Sequence, residues 1–405
     1  MTSGGRRFLL GLGSAFALLG IGCQSRLQVF ESEPMELEPM PVVASPTVAT
    51  RVEFPMKLIG GLVVVETEGD DGPWRFLIDT GASRTLVSPE YAIRHLQRPI
   101  DPNPPTIWLR DASGRASPVE SVMLDRIDFG RANFQNVRAL IFDCGEISDH
   151  LGLPIHGVLG FSLFSNARLT LDYPGERVIM SALDDTTPMR GCILPFTAHN
   201  DVPMVQLALG TRSLLALIDT GSDGFINLDP AGLDVEFASP PREGTLIGTL
   251  HGDHRQIVAR LAKSLYIGDH EVVQPIADLS GSLTSLGGEL LQNFEITFDQ
   301  EKDQVAFYRA GEDMRVLSPP KWSSGLSFNK ARAYWKINAI APNSPAARAG
   351  FKIGDLVSRL NGEPVEQWDL TRYRALVDAG GTITYTLIKG REEVPFAAAT
   401  FVLVP

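Results

Sequence analysis

Two aspartates, Asp79 and Asp219, stand in the same five-residue frame. Leu77-Ile78-Asp79-Thr80-Gly81 recurs as Leu217-Ile218-Asp219-Thr220-Gly221, 140 positions on (79 to 219). One copy reads as a turn closing an apolar strand, which Asp and Gly commonly make. Two copies in a duplicated frame put a carboxylate at matching points of two lobes. Lobes facing each other would bring the carboxylates together. Like charges a few ångströms apart do not both ionise readily, so such a pair shares one proton over a wide pH range. The ionised member takes a proton from water and the protonated member polarises a carbonyl, chemistry that needs no covalent intermediate, metal or other cofactor. Asp79 and Asp219 are therefore the candidate acid and base, and Gly81 and Gly221 allow a tight turn with close backbone N–H groups.

The repeat extends on both sides of the motif. Phe54-Pro55-Met56-Lys57-Leu58 leads to Gly61-Leu62-Val63-Val64-Val65, and Val202-Pro203-Met204-Val205-Gln206-Leu207 leads to Leu214-Leu215-Ala216-Leu217. Both read as a strand, a hairpin turn and a strand running into Asp-Thr-Gly. A second hairpin follows each motif, at Thr106 to Gly114 and at Thr245 to Asp253, a candidate flap over a substrate cleft. Later, Val158-Leu159-Gly160 precedes Leu169-Thr170-Leu171-Asp172, and Ser285-Leu286-Gly287 precedes Ile296-Thr297-Phe298-Asp299. The step from glycine to aspartate is 12 residues in both (160 to 172, 287 to 299). Shared motif, order and spacing indicate duplication.

On these residues the region from about 52 to 310 resembles a retropepsin-type aspartic protease with both lobes in one chain. The resemblance implies a bilobal, acid-protease-type β fold and peptide-bond hydrolysis. It implies that Thr80 and Thr220 interlock the lobes through their hydroxyls, and that each apolar-apolar-Gly segment packs behind a catalytic loop. Ala82 resembles the retroviral form. Ser222 resembles the pepsin form, whose hydroxyl bonds a catalytic carboxylate. Ser285 departs from the apolar pattern. Asp223 is a further departure, expected to face solvent rather than the dyad.

Past Pro319-Pro320, Ser344-Pro345-Ala346-Ala347-Arg348-Ala349-Gly350 with Gly354-Asp355 and Asn361-Gly362 resembles a PDZ domain of the type found in bacterial periplasmic proteases. Ser344 is placed to cap a short helix with Pro345 in its first turn and Gly350 at its end, and Asn361-Gly362 to make a tight hairpin. The resemblance implies that Gly325, Leu326, Ser327 and Phe328 form a peptide-binding loop, with Ser327 where Gly is usual. Such a module takes a C-terminal or extended peptide as an added strand. Its other use is packing against the protease.

The N-terminus reads as targeting. Arg6-Arg7 precede an apolar stretch, Phe8 to Gly22, too short to span a bilayer comfortably. Leu19-Gly20-Ile21-Gly22-Cys23 resembles a bacterial lipoprotein signal, with Gly20 where that family prefers Leu. It implies cleavage before Cys23 and lipid on Cys23; an ordinary secretory signal or an uncleaved anchor is the alternative. Gln24-Ser25 lacks the Asp resembling an inner-membrane retention signal, which favours the outer membrane, on its periplasmic side. Acidic, Pro-rich residues follow as an extended tether.

The expected fold class is mainly β: a signal at 1–22, a tether at 23–50, protease lobes at 51–190 and 191–312, and a PDZ domain at 320–405. Net charge is −12 and no Lys/Arg-rich stretch lies beyond the N-terminus, which argues against nucleic acid as a partner. His251-Gly252-Asp253-His254 reads as a turn rather than a metal site. Trp108 is either a pocket wall or a packed strand residue. Cys144 and Cys192 are either a disulfide or two buried thiols. The expected function is an aspartic endopeptidase at the bacterial cell envelope, its PDZ module recruiting or sensing peptide substrates; one chain suffices for the dyad. The alternative is a non-catalytic peptide-binding envelope lipoprotein on a pseudo-protease scaffold.

Overall fold

In the computed structural model the described residues are 51–69, 72–97, 106–110, 116–199, 201–231, 233–249, 252–281 and 283–405. The signal stretch, Cys23 and the tether to residue 50 lie outside them, as do residues 111–115 of the first hairpin and residues 250–251 of the second. The protein is mainly β.

The duplication seen in sequence is a duplication of topology. In lobe one the strand Trp74–Asp79 runs parallel beside Gly157–Gly160, which pairs next with Thr85–Val87, Ala132–Ile141, Ala116–Phe129 and Thr106–Arg110. In lobe two Arg212–Ile218 runs parallel beside Ser285–Leu286, followed by Ile226–Asn227, Ile276–Asp278, Gly252–Arg260 and Arg242–Thr249. The order is the same. Each Asp-Thr-Gly thus closes a strand buried against a short strand that runs into glycine, Gly160 in lobe one and Gly287 just past the strand in lobe two. Only glycine fits there: a Cβ on Gly157 would lie 2.5 Å from Leu86 O, and one on Gly160 would lie 2.5 Å from Arg84 O.

The lobe-one lead-in differs from the sequence reading by one strand. Lys57–Ile59 and Leu62–Thr67 form a hairpin turned by Gly60 and Gly61, at φ 61° and 88°, and Leu62–Thr67 then pairs with Trp74–Asp79. Leu62–Thr67 is the counterpart of Val202–Leu209, so Gly61 to Val65 does not itself enter Asp-Thr-Gly. The all-apolar run Leu62 to Val65 is buried on both faces, which conceals its alternation and its neighbour.

The second pair of matching segments forms the seam between the lobes. Arg168–Asp172 and Glu295–Asp299 pair antiparallel, with Thr170 opposite Thr297 and their hydroxyls 2.8 Å apart. Arg177–Ser181 and Arg51–Pro55 extend this sheet on one side, and Gln304–Tyr308 and Cys192–His199 on the other. One core runs beneath both lobes, built on Phe76, Phe134, Phe161, Phe298 and Phe307. Cys144 and Cys192 are free thiols. Burial, then the Asp143 charge, pushes the Cys144 thiol up to about 12, so it behaves as a small apolar side chain.

The C-terminal residues build their own sheet, Leu326–Lys330, Trp335–Ile340, Leu356–Leu360, Thr382–Lys389 and Glu392–Ala399, around Trp335, Tyr373 and Tyr385. Ser344 Oγ accepts from Ala347 N at 3.1 Å, Pro345 opens the helix Pro345–Ala349, and Gly350 ends it at φ 87°. Asn361 and Gly362 both have positive φ, as the tight turn requires. A longer helix, Leu370–Asp378, is capped by Asp369 and lays Tyr373 edge-on against Phe328.

Candidate active site

The two Asp-Thr-Gly turns meet across the lobe boundary. Thr80 Oγ1 donates to Ile218 O at 2.5 Å and accepts from Thr220 N at 3.2 Å. Thr220 Oγ1 donates to Ile78 O at 2.7 Å and accepts from Thr80 N at 2.9 Å. Both threonines are fully buried. Each hydroxyl is therefore used twice, and each clamps the opposite aspartate-bearing strand.

This interlock brings the carboxylates together. A methyl group at Gly81 would lie 2.7 Å from Asp219 Oδ1 and 3.1 Å from Asp79 Oδ1; one at Gly221 would lie 2.3 Å from Asp79 Cγ. Each glycine turn thus passes under the other lobe's aspartate, at a distance no side chain allows. Asp79 Oδ1 accepts from Gly81 N at 2.8 Å and Ala82 N at 3.1 Å; Asp219 Oδ1 accepts from Gly221 N at 3.0 Å.

The surroundings of the two carboxylates differ. Burial raises the proton affinity of Asp79, opposed by the amides of Gly81, Ala82 and, across the boundary, Gly221. Asp219 is pushed up to about 8, first by burial and then by the charge of Asp79, with Asp223 adding to the effect and the Gly221 and Ser222 amides opposing it. Burial raises both carboxylates and the charge of Asp79 raises Asp219 further, so the pair holds one proton between them.

The supporting residues are placed with equal clarity. Ser222 Oγ accepts from Asn227 Nδ2 at 3.2 Å, and the same amide donates to Ser285 Oγ at 2.9 Å. The hydroxyl expected on a catalytic carboxylate is thus bound to Asn227, and the Ser285 departure acquires a purpose. Asn227 ties the Asp219 turn to its neighbouring strand; the sequence offered only its place after the motif. Trp108 is 68% exposed on Thr106–Arg110, so it is not packed on its lobe.

The aspartyl protease family matches residues 63–163, a stretch that includes the first Asp-Thr-Gly and the Gly157–Gly160 strand beside it, and the PDZ domain family matches residues 336–389. The chain carries an aspartyl protease-like domain and a PDZ domain. Asp219 lies beyond the matched part of the protease-like domain and enters the site through the geometry above. Two solved structures share part of the chain. One is a PDZ domain protein from Parabacteroides distasonis ATCC 8503, 17% identical over 21% of this chain and 21% of that one, with a TM-score of 0.19. The other is the HtrA3 PDZ domain bound to a phage-derived ligand (FGRWV), 20% identical over 20% of this chain and 88% of that one, with a TM-score of 0.18. The chain therefore spans about a fifth of the length of the first. No curated protein matches it.

In the PDZ domain, Gly325 lies at φ 77° against Ser344, where a Cβ would come within 2.6 Å of the Ser344 Cβ. Gly325 N donates to Ser323 Oγ and Leu326 N to Ser324 Oγ, while Leu326 and Phe328 point into the core. The strand Leu326–Lys330, which carries Ser327, is at the edge of its sheet. Lys330, at the end of that strand, donates to His150 O of lobe one at 2.5 Å.

Asp223 does not face open solvent. Its Oδ2 lies 2.6 Å from Arg374 Nη2 of the PDZ helix and 2.8 Å from His150 Nε2 of lobe one. The Arg374 charge, then that of His150, holds its carboxyl far below the usual range against the pull of burial. Nothing local to Asp223 signals this, because its partners are 151 and 73 residues away in the chain.

Proposed function

We propose that this protein is an aspartic endopeptidase whose water is activated between Asp79 and Asp219. The observation carrying the reading is the crossed threonine interlock, which holds two carboxylates in one cradle of backbone amides. With the proton on the Asp219 side, Asp79 is the base. It takes a proton from water as the water oxygen bonds to the scissile carbon, and Asp219 gives its proton to the carbonyl oxygen. The tetrahedral diol then collapses: Asp79 returns its proton to the amide nitrogen, the C–N bond breaks, and Asp219 recovers a proton from the diol hydroxyl.

The test is cleavage of an unstructured protein by the full chain in mild detergent from pH 3 to 9, beside Asp219→Asn. Activity requires one proton on the pair, so it should persist through neutral pH and fall as the pH rises through about 8, where Asp219 loses its proton. A descending limb near pH 5 would contradict this assignment. No cleavage at any pH would leave a peptide-binding scaffold.

The PDZ domain supports a second part of the reading, recruitment or sensing of peptide substrates by strand addition. The lipoprotein-type signal supports placement at the cell envelope, with lipid on Cys23 and anchoring by its acyl chains. Labelled fatty acid should enter the parent chain and not Cys23→Ala; equal labelling would remove the anchor from the proposal.

A further inference from the structure

Arg374 stands where three segments of the protease-like domain converge. Its Nη1 donates to Gly60 O at 2.7 Å, on the lobe-one hairpin, and to Asp223 O at 3.2 Å. Its Nη2 donates to Asp223 Oδ2. Gly61 packs on Gly288 so closely that a Cβ on Gly288 would meet Gly61 O at 2.1 Å. Gly288 N in turn donates to Ser222 O at 2.7 Å, and Glu289 N to Gly224 O at 3.1 Å. The turn carrying Asp219 is therefore fastened to lobe two behind it and, through Asp223 and one guanidinium, to lobe one and the PDZ helix.

The neighbouring contacts make this junction tight. Thr371 Oγ1 accepts from Gly60 N and donates to Leu58 O, and a Cβ on Gly60 would strike Leu370. A Cβ on Gly152 would lie 3.2 Å from Trp368 O. The half-buried Arg374 and Asp223 side chains, 33% and 22% exposed, sit within these contacts.

We propose that Arg374 is a positioning residue for the Asp219 turn, so that the PDZ helix completes the active site of the protease-like domain rather than only recruiting for it. The inference rests on the catalytic reading above. Asp223 lies two residues past Gly221, and its charge raises the proton affinity of Asp219. Arg374 offsets that charge while it fixes the backbone. The other titratable groups facing the pair are His150 of lobe one, Glu289 of lobe two, and Lys321, Lys330 and Asp378 of the PDZ side, with Asp149 of lobe one acting on Lys330.

A positional and an electrostatic role together give a pattern that fold support alone does not. The full chain in detergent is compared as parent, Arg374→Met, Arg374→Lys, Asp223→Asn and Asp79→Asn, with circular dichroism to verify folding. Arg374→Met should lower kcat about 10- to 100-fold with KM nearly constant. Its descending pH limb should move up, because Asp223 keeps its charge and loses its partner. Asp223→Asn should also lower kcat, but its limb should move down, since a negative charge near Asp219 is gone. Arg374→Lys should return the limb to the parent position with an intermediate kcat. A folded Arg374→Met with parental kcat and limb overturns the inference alone; so do losses of kcat in both variants with unmoved limbs. If Arg374→Met does not fold, Arg374→Lys decides: a lowered kcat supports the inference and a parental kcat overturns it. A parent chain as silent as Asp79→Asn overturns the catalytic reading, and the inference with it.

Discussion

Asp79→Asn and Asp219→Asn should each lower kcat/KM for peptide hydrolysis by about 10⁴ or more, the scale at which loss of one member of a catalytic unit is felt. In the proposed mechanism both carboxylates act on the same water and carbonyl, so neither can substitute for the other. The double variant should lose scarcely more than either single one. The same substitution raises stability at neutral pH. Asp219 is pushed up to about 8 in the fold, against about 3.9 in an unfolded chain. The folded protein therefore binds more protons than the unfolded one between these values, and stability falls as pH rises through that window. Asn carries no such penalty. Asp219→Asn should match the parent near pH 4 and exceed it by about 4–5 kcal/mol at pH 7.5. Thermal melts at the two pH values check this. Equal melts at pH 7.5 would mean that the proton is not held at Asp219; substantial residual cleavage would remove the dyad from the chemistry.

The parts of the site legible in the sequence are those built from local repetition. Each Asp-Thr-Gly frame names its own turn, because a buried apolar strand must end where the chain turns and only glycine can pass beneath a facing carboxylate. Leu169 to Asp172 and Ile296 to Asp299 were recognisable as copies, and copies related by duplication can pair with each other, as Thr170 and Thr297 do. What escaped is what depends on packing between distant segments. Asp223 reads as a surface carboxylate until Arg374 and His150 arrive. Ser222 carries the same type of hydroxyl whether it serves Asp219 or Asn227, and only the strand at Ile226–Asn227 decides. Cys144 and Cys192 could have paired by composition alone, but Cys144 is buried at the start of the helix Gly145–Leu151 and Cys192 is half-buried at the start of the strand Cys192–His199. The offset in lobe one has a related origin: a strand buried on both faces loses the alternation that would have marked its register.

The interlock yields the second large effect. Thr80→Val removes a hydroxyl that satisfies Ile218 O and Thr220 N, leaving a buried acceptor and a buried donor without that partner. Thr220→Val does the same to Ile78 O and Thr80 N. An unsatisfied buried group costs about 1–3 kcal/mol, so each variant should lose about 2–5 kcal/mol, and Thr→Ser, which keeps the hydroxyl, much less. Activity should fall further than stability suggests, because a carboxylate displaced by about 1 Å costs about 10²-fold in rate. The two hydroxyls are not independent, since each accepts from the amide of the other threonine. Once one is gone, the facing turns can separate and the second has less to hold. The double variant should therefore cost less than the two single variants together, with a coupling of about 1–3 kcal/mol. Denaturant melts of the four-protein cycle measure that coupling, and strict additivity would show that the two turns are held together by the seam strands rather than by the threonines.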